Sequence, residues 1–141
     1  MKRGIIIDAG PIVAFLSRRD QYHEWAVAQL AGIAPPLLTC EAVLSEACFL
    51  LGRARTSARG VLELVQRNLI SPAFRLEDEV APISKLMERY ASVPMSLADA
   101  CLVRMTEQRS GSAVLTLDSD FRTYRRHGRQ AIPLIAPTQS R

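Results

Sequence analysis

Most of the 14 acidic residues of this 141-residue chain read as solvated helix or loop positions, but four do not. Asp8 follows Ile5-Ile6-Ile7, a run of β-branched apolar side chains, with no polar lead-in, and precedes a turn signal at Gly10-Pro11. In TCEAVLSEACFLLG, helical spacing places Glu46 in an apolar stripe with Val43, Ala47 and Leu50, whereas Glu41 sits at the helix start where the dipole favours an acid. A buried carboxylate is costly. Either a cation neutralises Glu46, or the stripe opens onto a cleft, or Glu46 lies at its edge. Asp99, in PMSLADACLVRM, is flanked by Ala98 and Ala100, and Ser96-x-x-Asp99 also has the spacing of a capping box. In VLTLDSDF, Asp118 and Asp120 follow an apolar run; one can cap a helix, and the pair at i, i+2 suits a metal ion.

Should Asp8, Glu46, Asp99 and Asp118 converge, mutual repulsion raises their pKa values unless a cation sits among them. Oxygen-only ligands select hard ions, Mg²⁺ or Mn²⁺, which commonly meet phosphate. The chain has no Ser/His/Asp arrangement and no phosphate-cradling glycine loop. A phosphatase with Asp8 as nucleophile usually wants a second acid two residues on, where Gly10 stands. Metal-assisted hydrolysis of a phosphodiester is the chemistry left.

The elements that must position these acids follow from hydrophobic pattern. Gly4–Ile7, Ala113–Leu117 and Ala131–Ile135 read as short apolar strands, with Leu37-Leu38 a very short extended piece. Helices are expected over Pro11–Ser17, from an Asp20 cap to Leu30, from a Thr39 cap over Glu41–Leu51, and over Thr56–Asn68, Glu79–Tyr90, Ser96–Gln108 and Phe121–Arg126. Strands alternating with helices give an α/β fold, a parallel sheet covered on both faces. In such sheets the functional crevice lies beyond the strands' carboxyl ends, where both Asp8 and Asp118 fall.

The length suits one domain over residues 1–141, and no apolar run is long enough for a membrane span. The three cysteines, Cys40, Cys48 and Cys101, form no C-x-x-C pair and read as reduced, buried small hydrophobes of a cytoplasmic protein. The net charge is +4, and 16 of the 18 basic residues are Arg, which binds phosphate bidentately, so nucleic acid is a candidate partner. Arg122, Arg125, Arg126 and Arg129 lie just beyond Asp118: either holders of RNA phosphates or a solvated face. Arg53, Arg55 and Arg59 form a second such patch.

In the stretches IIIDAGPIVAFL, PLLTCEAVLSEACFLLG, LMERYASVPMSLADACLVRM and VLTLDSDF, and in their order, the chain resembles the PIN domain, most closely the VapC-type toxins of bacterial toxin–antitoxin pairs. The resemblance spans Ile5 to about Ile135. It implies a three-layer α/β/α fold and an endoribonuclease dependent on Mg²⁺ or Mn²⁺. Its acids fall on Asp8, Glu46, Asp99 and Asp118, with Asp120 as an auxiliary, and Glu46 reaches the metal directly or through water. A hydroxyl residue often follows the first acid in the family; here Ala9-Gly10 does. Ser96 and Thr116 are candidates to orient the acids. The likeness further implies an RNA substrate, a cognate antitoxin and a homodimer. The rival from another class is a non-catalytic RNA- or partner-binding module whose acids are caps and ion pairs.

Overall fold

The computed structural model describes residues 1–138. Five parallel strands form the central sheet in the order β3-β2-β1-β4-β7: β1 (Ile5–Ile7), β2 (Leu37–Leu38), β3 (Ile70–Ser71), β4 (Ala113–Leu115) and β7 (Leu134–Ile135). The central β1 explains the three consecutive isoleucines. Covered on both faces, the strand has no solvent side to mark with a polar residue, and Ile6 and Ile7 are fully buried.

Helices α1 (Ala9–Leu16), α2 (His23–Ala31), α3 (Glu41–Arg53) and α4 (Arg59–Gln66) link β1 to β2 to β3 and pack with one another. Helices α5 (Val80–Arg89) and α6 (Leu97–Gln108) pair and return the chain to β4. Right-handed crossovers running first one way and then the other put these two groups on opposite faces, giving the three-layer α/β/α arrangement. Because the chain leaves β1 toward β2 and comes back on its other side at β4, the order switches between β1 and β4. The crevice of an open α/β sheet opens at the carboxyl ends of such a pair.

Several expected boundaries move, each for an identifiable physical reason. Thr39 does not cap α3: its hydroxyl donates to the Ile7 carbonyl at 2.9 Å, tying the end of β2 to the end of β1, and Cys40 takes the cap position. The Asp20 carboxylate accepts from the Tyr22 amide, closing a turn before α2, which starts only at His23. Helix α4 is shorter than Thr56–Asn68, bounded by left-handed backbone at Arg55 and Asn68. Pro133 lacks an amide and divides the expected last strand: Gln130–Ala131 (β6) pairs antiparallel with Arg125–Arg126 (β5), and only Leu134–Ile135 joins the main sheet.

The expected helix over Phe121–Arg126 is replaced by a 3₁₀ turn, Ser119–Arg122, followed by β5. The Arg125 amide donates to the Tyr90 hydroxyl instead of a helical carbonyl. Its guanidinium Nη1 caps the carbonyls of Arg122, Thr123 and Tyr124, which ends the turn. Cys40 and Cys101 are buried, Cys48 is half-buried, and all three are free thiols.

Candidate active site

Asp8 leaves β1 and caps α1: its Oδ1 accepts from the Ala9 amide at 2.7 Å, while its own amide donates to the Leu115 carbonyl of β4. Gly10 sits where α1 presses on the segment after β4; a Cβ there would lie 3.2 Å from the Leu117 Cβ. That close approach accounts for glycine, not a hydroxyl residue, two positions past the acid.

On the neighbouring strand end, the Thr116 hydroxyl donates to Asp8 Oδ2 at 2.7 Å and accepts from the Asp118 amide at 2.9 Å. One buried hydroxyl thus fixes the Asp8 carboxylate and the backbone of Asp118 together. Asp118 in turn caps the 3₁₀ turn, its Oδ1 accepting from the Asp120 amide.

Helix α6 supplies Asp99 from its first turn. Ser96 caps this helix through its Oγ, which accepts from the Asp99 amide at 3.0 Å, and the backbone and hydroxyl of Ser96 in turn hydrogen-bond the Asp99 carboxylate, the reciprocal arrangement of a capping box, at a carboxylate that also lines the cleft. Ser96→Ala is expected to lower stability by about 1 kcal/mol, the usual loss for a serine cap, as read from a urea-denaturation midpoint.

The fourth acid departs from its expected setting. The buried stripe of α3 is Val43, Ala47 and Leu51. Glu46 is not within it; it stands beside it, exposed, with half-buried Leu50, and both face a cavity. Asp8, Glu46, Asp99 and Asp118 all line this cavity of about 300 Å³, together with Ala9, Gly10, Leu50 and Leu117. Asp120 is held by its amide but does not line it. Arg122 is exposed, Arg125 has Nη1 occupied by its own loop, and Arg126 has Nε and Nη1 buried without a hydrogen-bond partner.

None of the four acids forms a salt bridge among the described residues, whose ion pairs join Arg75 to Glu77 and Asp78, and Arg104 to Glu79 and Glu107. The electrostatic consequence is seen at Asp8, Glu46 and Asp99. Burial pushes Asp8 up to about 7, against the donors Thr116 and Ala9, and the charges of Asp99 and Glu46 add to the rise. Glu46 is raised by desolvation and by Asp99 and Asp118. Asp99 is raised by burial, tempered by a hydrogen bond from the Tyr124 hydroxyl, and raised again by Asp118. Sequence reasoning missed Tyr124; its bond to Asp99 spans 25 residues and leaves no local signature.

A cavity walled by carboxylates with no cationic partner among the described residues fits a hard divalent cation, since such an ion offsets the burial and mutual repulsion that raise Asp8, Glu46 and Asp99. Among the described residues, no group of three or more His, Cys, Asp or Glu side chains is arranged to hold a metal ion as it stands. Mg²⁺ keeps several waters and is commonly held by one or two carboxylates, so a complete protein cage is not required of such a site.

A comparison against curated proteins finds no match. The family profile of the PIN domain matches residues 5–127, a span that begins at β1 and contains all four acids. The chain belongs to the PIN domain family, whose members are generally nucleases.

Proposed function

We propose that this protein is a Mg²⁺- or Mn²⁺-dependent endoribonuclease and the toxin of a type II toxin–antitoxin pair. The observation that carries the reading is the meeting of four acids, remote in sequence, around one cavity that holds no protein cation. Asp8, Asp99 and Asp118 would hold the ion, Glu46 directly or through water, with Asp120 as an auxiliary. When bound, the ion supplies an acidic water for attack on phosphorus and stabilises charge on the leaving oxygen.

The chain's own residues set the stage for that chemistry. Thr116 fixes the distance between the ends of β1 and β4 by bonding both Asp8 and Asp118. Leu50 and Leu117 border the acids with apolar surface, which lowers the local dielectric and strengthens charge interactions. Arg122, Arg125 and Arg126 would take RNA phosphates along the segment that follows Asp118. Arg122 supports this role best, because it is the exposed one of the three, whereas Nε and Nη1 of Arg126 are buried. The family likeness extends the reading to a homodimer in the cytoplasm, silenced by a cognate antitoxin.

Calorimetric titration of Mn²⁺ into the purified protein, paired with cleavage of RNA in Mg²⁺ and in EDTA, tests the reading. Binding and metal-dependent cleavage are expected, and Glu46→Gln should weaken Mn²⁺ binding about tenfold, as loss of a ligand or its outer partner does. No heat of Mn²⁺ binding and no cleavage would return the acids to the role of caps in a non-catalytic binding module.

A further inference from the structure

Tyr124 is fully buried and its hydroxyl donates to Asp99 Oδ2 at 2.9 Å. Its ring has little freedom. Phe121 meets it edge-on at 5.2 Å and 86°, Tyr90 at 5.1 Å and 69°. Its amide donates to the Asp120 carbonyl. The segment that presents Asp118 therefore also delivers, six residues later, a rigid donor to the acid on α6.

We propose that Tyr124 is a positioning residue that aims the Asp99 carboxylate into the cavity and sets its spacing to Asp118, and so sets the protein's affinity for a divalent cation. The inference rests on the nuclease reading above and adds to it a residue outside the four acids. Two physical points carry it. A neutral hydroxyl orients a carboxylate without cancelling its charge, whereas an arginine or lysine in the same place would consume the charge that a cation needs. The arrangement is also paired: Thr116 donates to Asp8 as Tyr124 donates to Asp99, whose carboxylate is further hydrogen-bonded by Ser96, so both buried acids are oriented by neutral donors and neither by a cationic one. A carboxylate locked by such a partner needs less ordering when an ion arrives.

Tyr124→Phe removes one oxygen and keeps the ring, and Tyr90→Phe is its control, since that hydroxyl touches the Arg125 amide and no acid. Mn²⁺ alone is titrated into wild type and both variants by calorimetry, with urea midpoints recorded in EDTA. The expected result is about a tenfold weaker Mn²⁺ affinity in Tyr124→Phe, with wild-type affinity in Tyr90→Phe. Unchanged affinity in Tyr124→Phe, or equal weakening in both variants, overturns the proposal while leaving the nuclease reading in place. Failure of wild type to bind Mn²⁺ overturns that reading itself. If Tyr124→Phe does not fold, proton NMR of wild type decides: the Tyr124 hydroxyl proton should be protected from exchange and should shift on adding Mg²⁺. A hydroxyl resonance indifferent to Mg²⁺ counts against the proposal.

Discussion

Asp99→Asn is expected to slow RNA cleavage on the order of 10³-fold, the upper range for loss of one preorganised electrostatic group, while leaving the fold intact. The substitution is almost isosteric, and what it preserves matters as much as what it removes. The Ser96 cap takes the backbone amide of residue 99, so the start of α6 survives. The Tyr124 hydroxyl keeps an acceptor in the asparagine carbonyl oxygen. What disappears is one negative charge from a crowded set. Because burial and Asp118 raise the Asp99 pKa, the ionised carboxyl disfavours the metal-free fold. The variant escapes that penalty but offers one oxygen where the Asp99 carboxylate meets donors from both Tyr124 and Ser96, so its stability in EDTA should lie within about 1–3 kcal/mol of wild type. A large loss of activity with a small change in stability marks a carboxylate that serves the site and not the fold. Initial rates on a fluorophore–quencher RNA in Mg²⁺ and urea midpoints in EDTA read both quantities. Near-wild-type, Mg²⁺-dependent cleavage by Asp99→Asn would refute the role assigned to this acid. Inactivity accompanied by a large drop in stability would trace the loss to folding.

What the residue order reveals of this fold, and what it conceals, divides along one physical line. Ile5–Ile7 and Ala113–Leu115 are legible because a strand buried on both faces must be apolar throughout. The Ser96 cap is legible because it acts within one helical turn. Those features alone place Asp8 and Asp118 on one rim. Several of the misreadings involve contacts between distant segments. Thr39 has the composition of a cap, but the Ile7 carbonyl, 32 residues away, claims its hydroxyl. Arg125 sits in an apparent helix, but the Tyr90 hydroxyl, 35 residues away, claims its amide. Glu46 looks buried because the spacing 43, 46, 47, 50 describes a face, yet the neighbours of α3 select the stripe 43, 47, 51 instead. Periodicity defines candidate faces; which one is covered depends on packing partners from elsewhere in the chain. The same distinction hid Tyr124, whose meaning lies wholly in what α6 brings to it.

The metal-free protein should lose stability as the pH rises from about 4 to about 7, with Asp8 the largest single cause. The Asp8 carboxyl has its pKa raised from 3.8 to about 7 in the folded state. Between those values the unfolded chain has released the proton that the folded protein still binds. Stability must then fall with rising pH, the reverse of a salt-bridged aspartate, and level off above about 7. At about 1.4 kcal/mol per pH unit, the span is worth about 4 kcal/mol. Glu46 and Asp99, also raised, deepen the slope. Asp8→Asn removes the titration but introduces a mismatch of its own. The Ala9 amide and the Thr116 hydroxyl both donate to this side chain, one to each oxygen, and an asparagine offers only one oxygen. The mismatch costs about 1–3 kcal/mol at every pH, so the slope, not the absolute stability, isolates the carboxylate. Urea midpoints in EDTA at pH values from about 4 to about 8 should show a steep decline for wild type and a much shallower one for Asp8→Asn. Saturating Mn²⁺ should flatten or invert the wild-type slope, because a cation favours the ionised acid that folding alone disfavours. A wild-type midpoint that is independent of pH without metal, or an Asp8→Asn slope equal to that of wild type, would show that the Asp8 charge is not what strains this cavity.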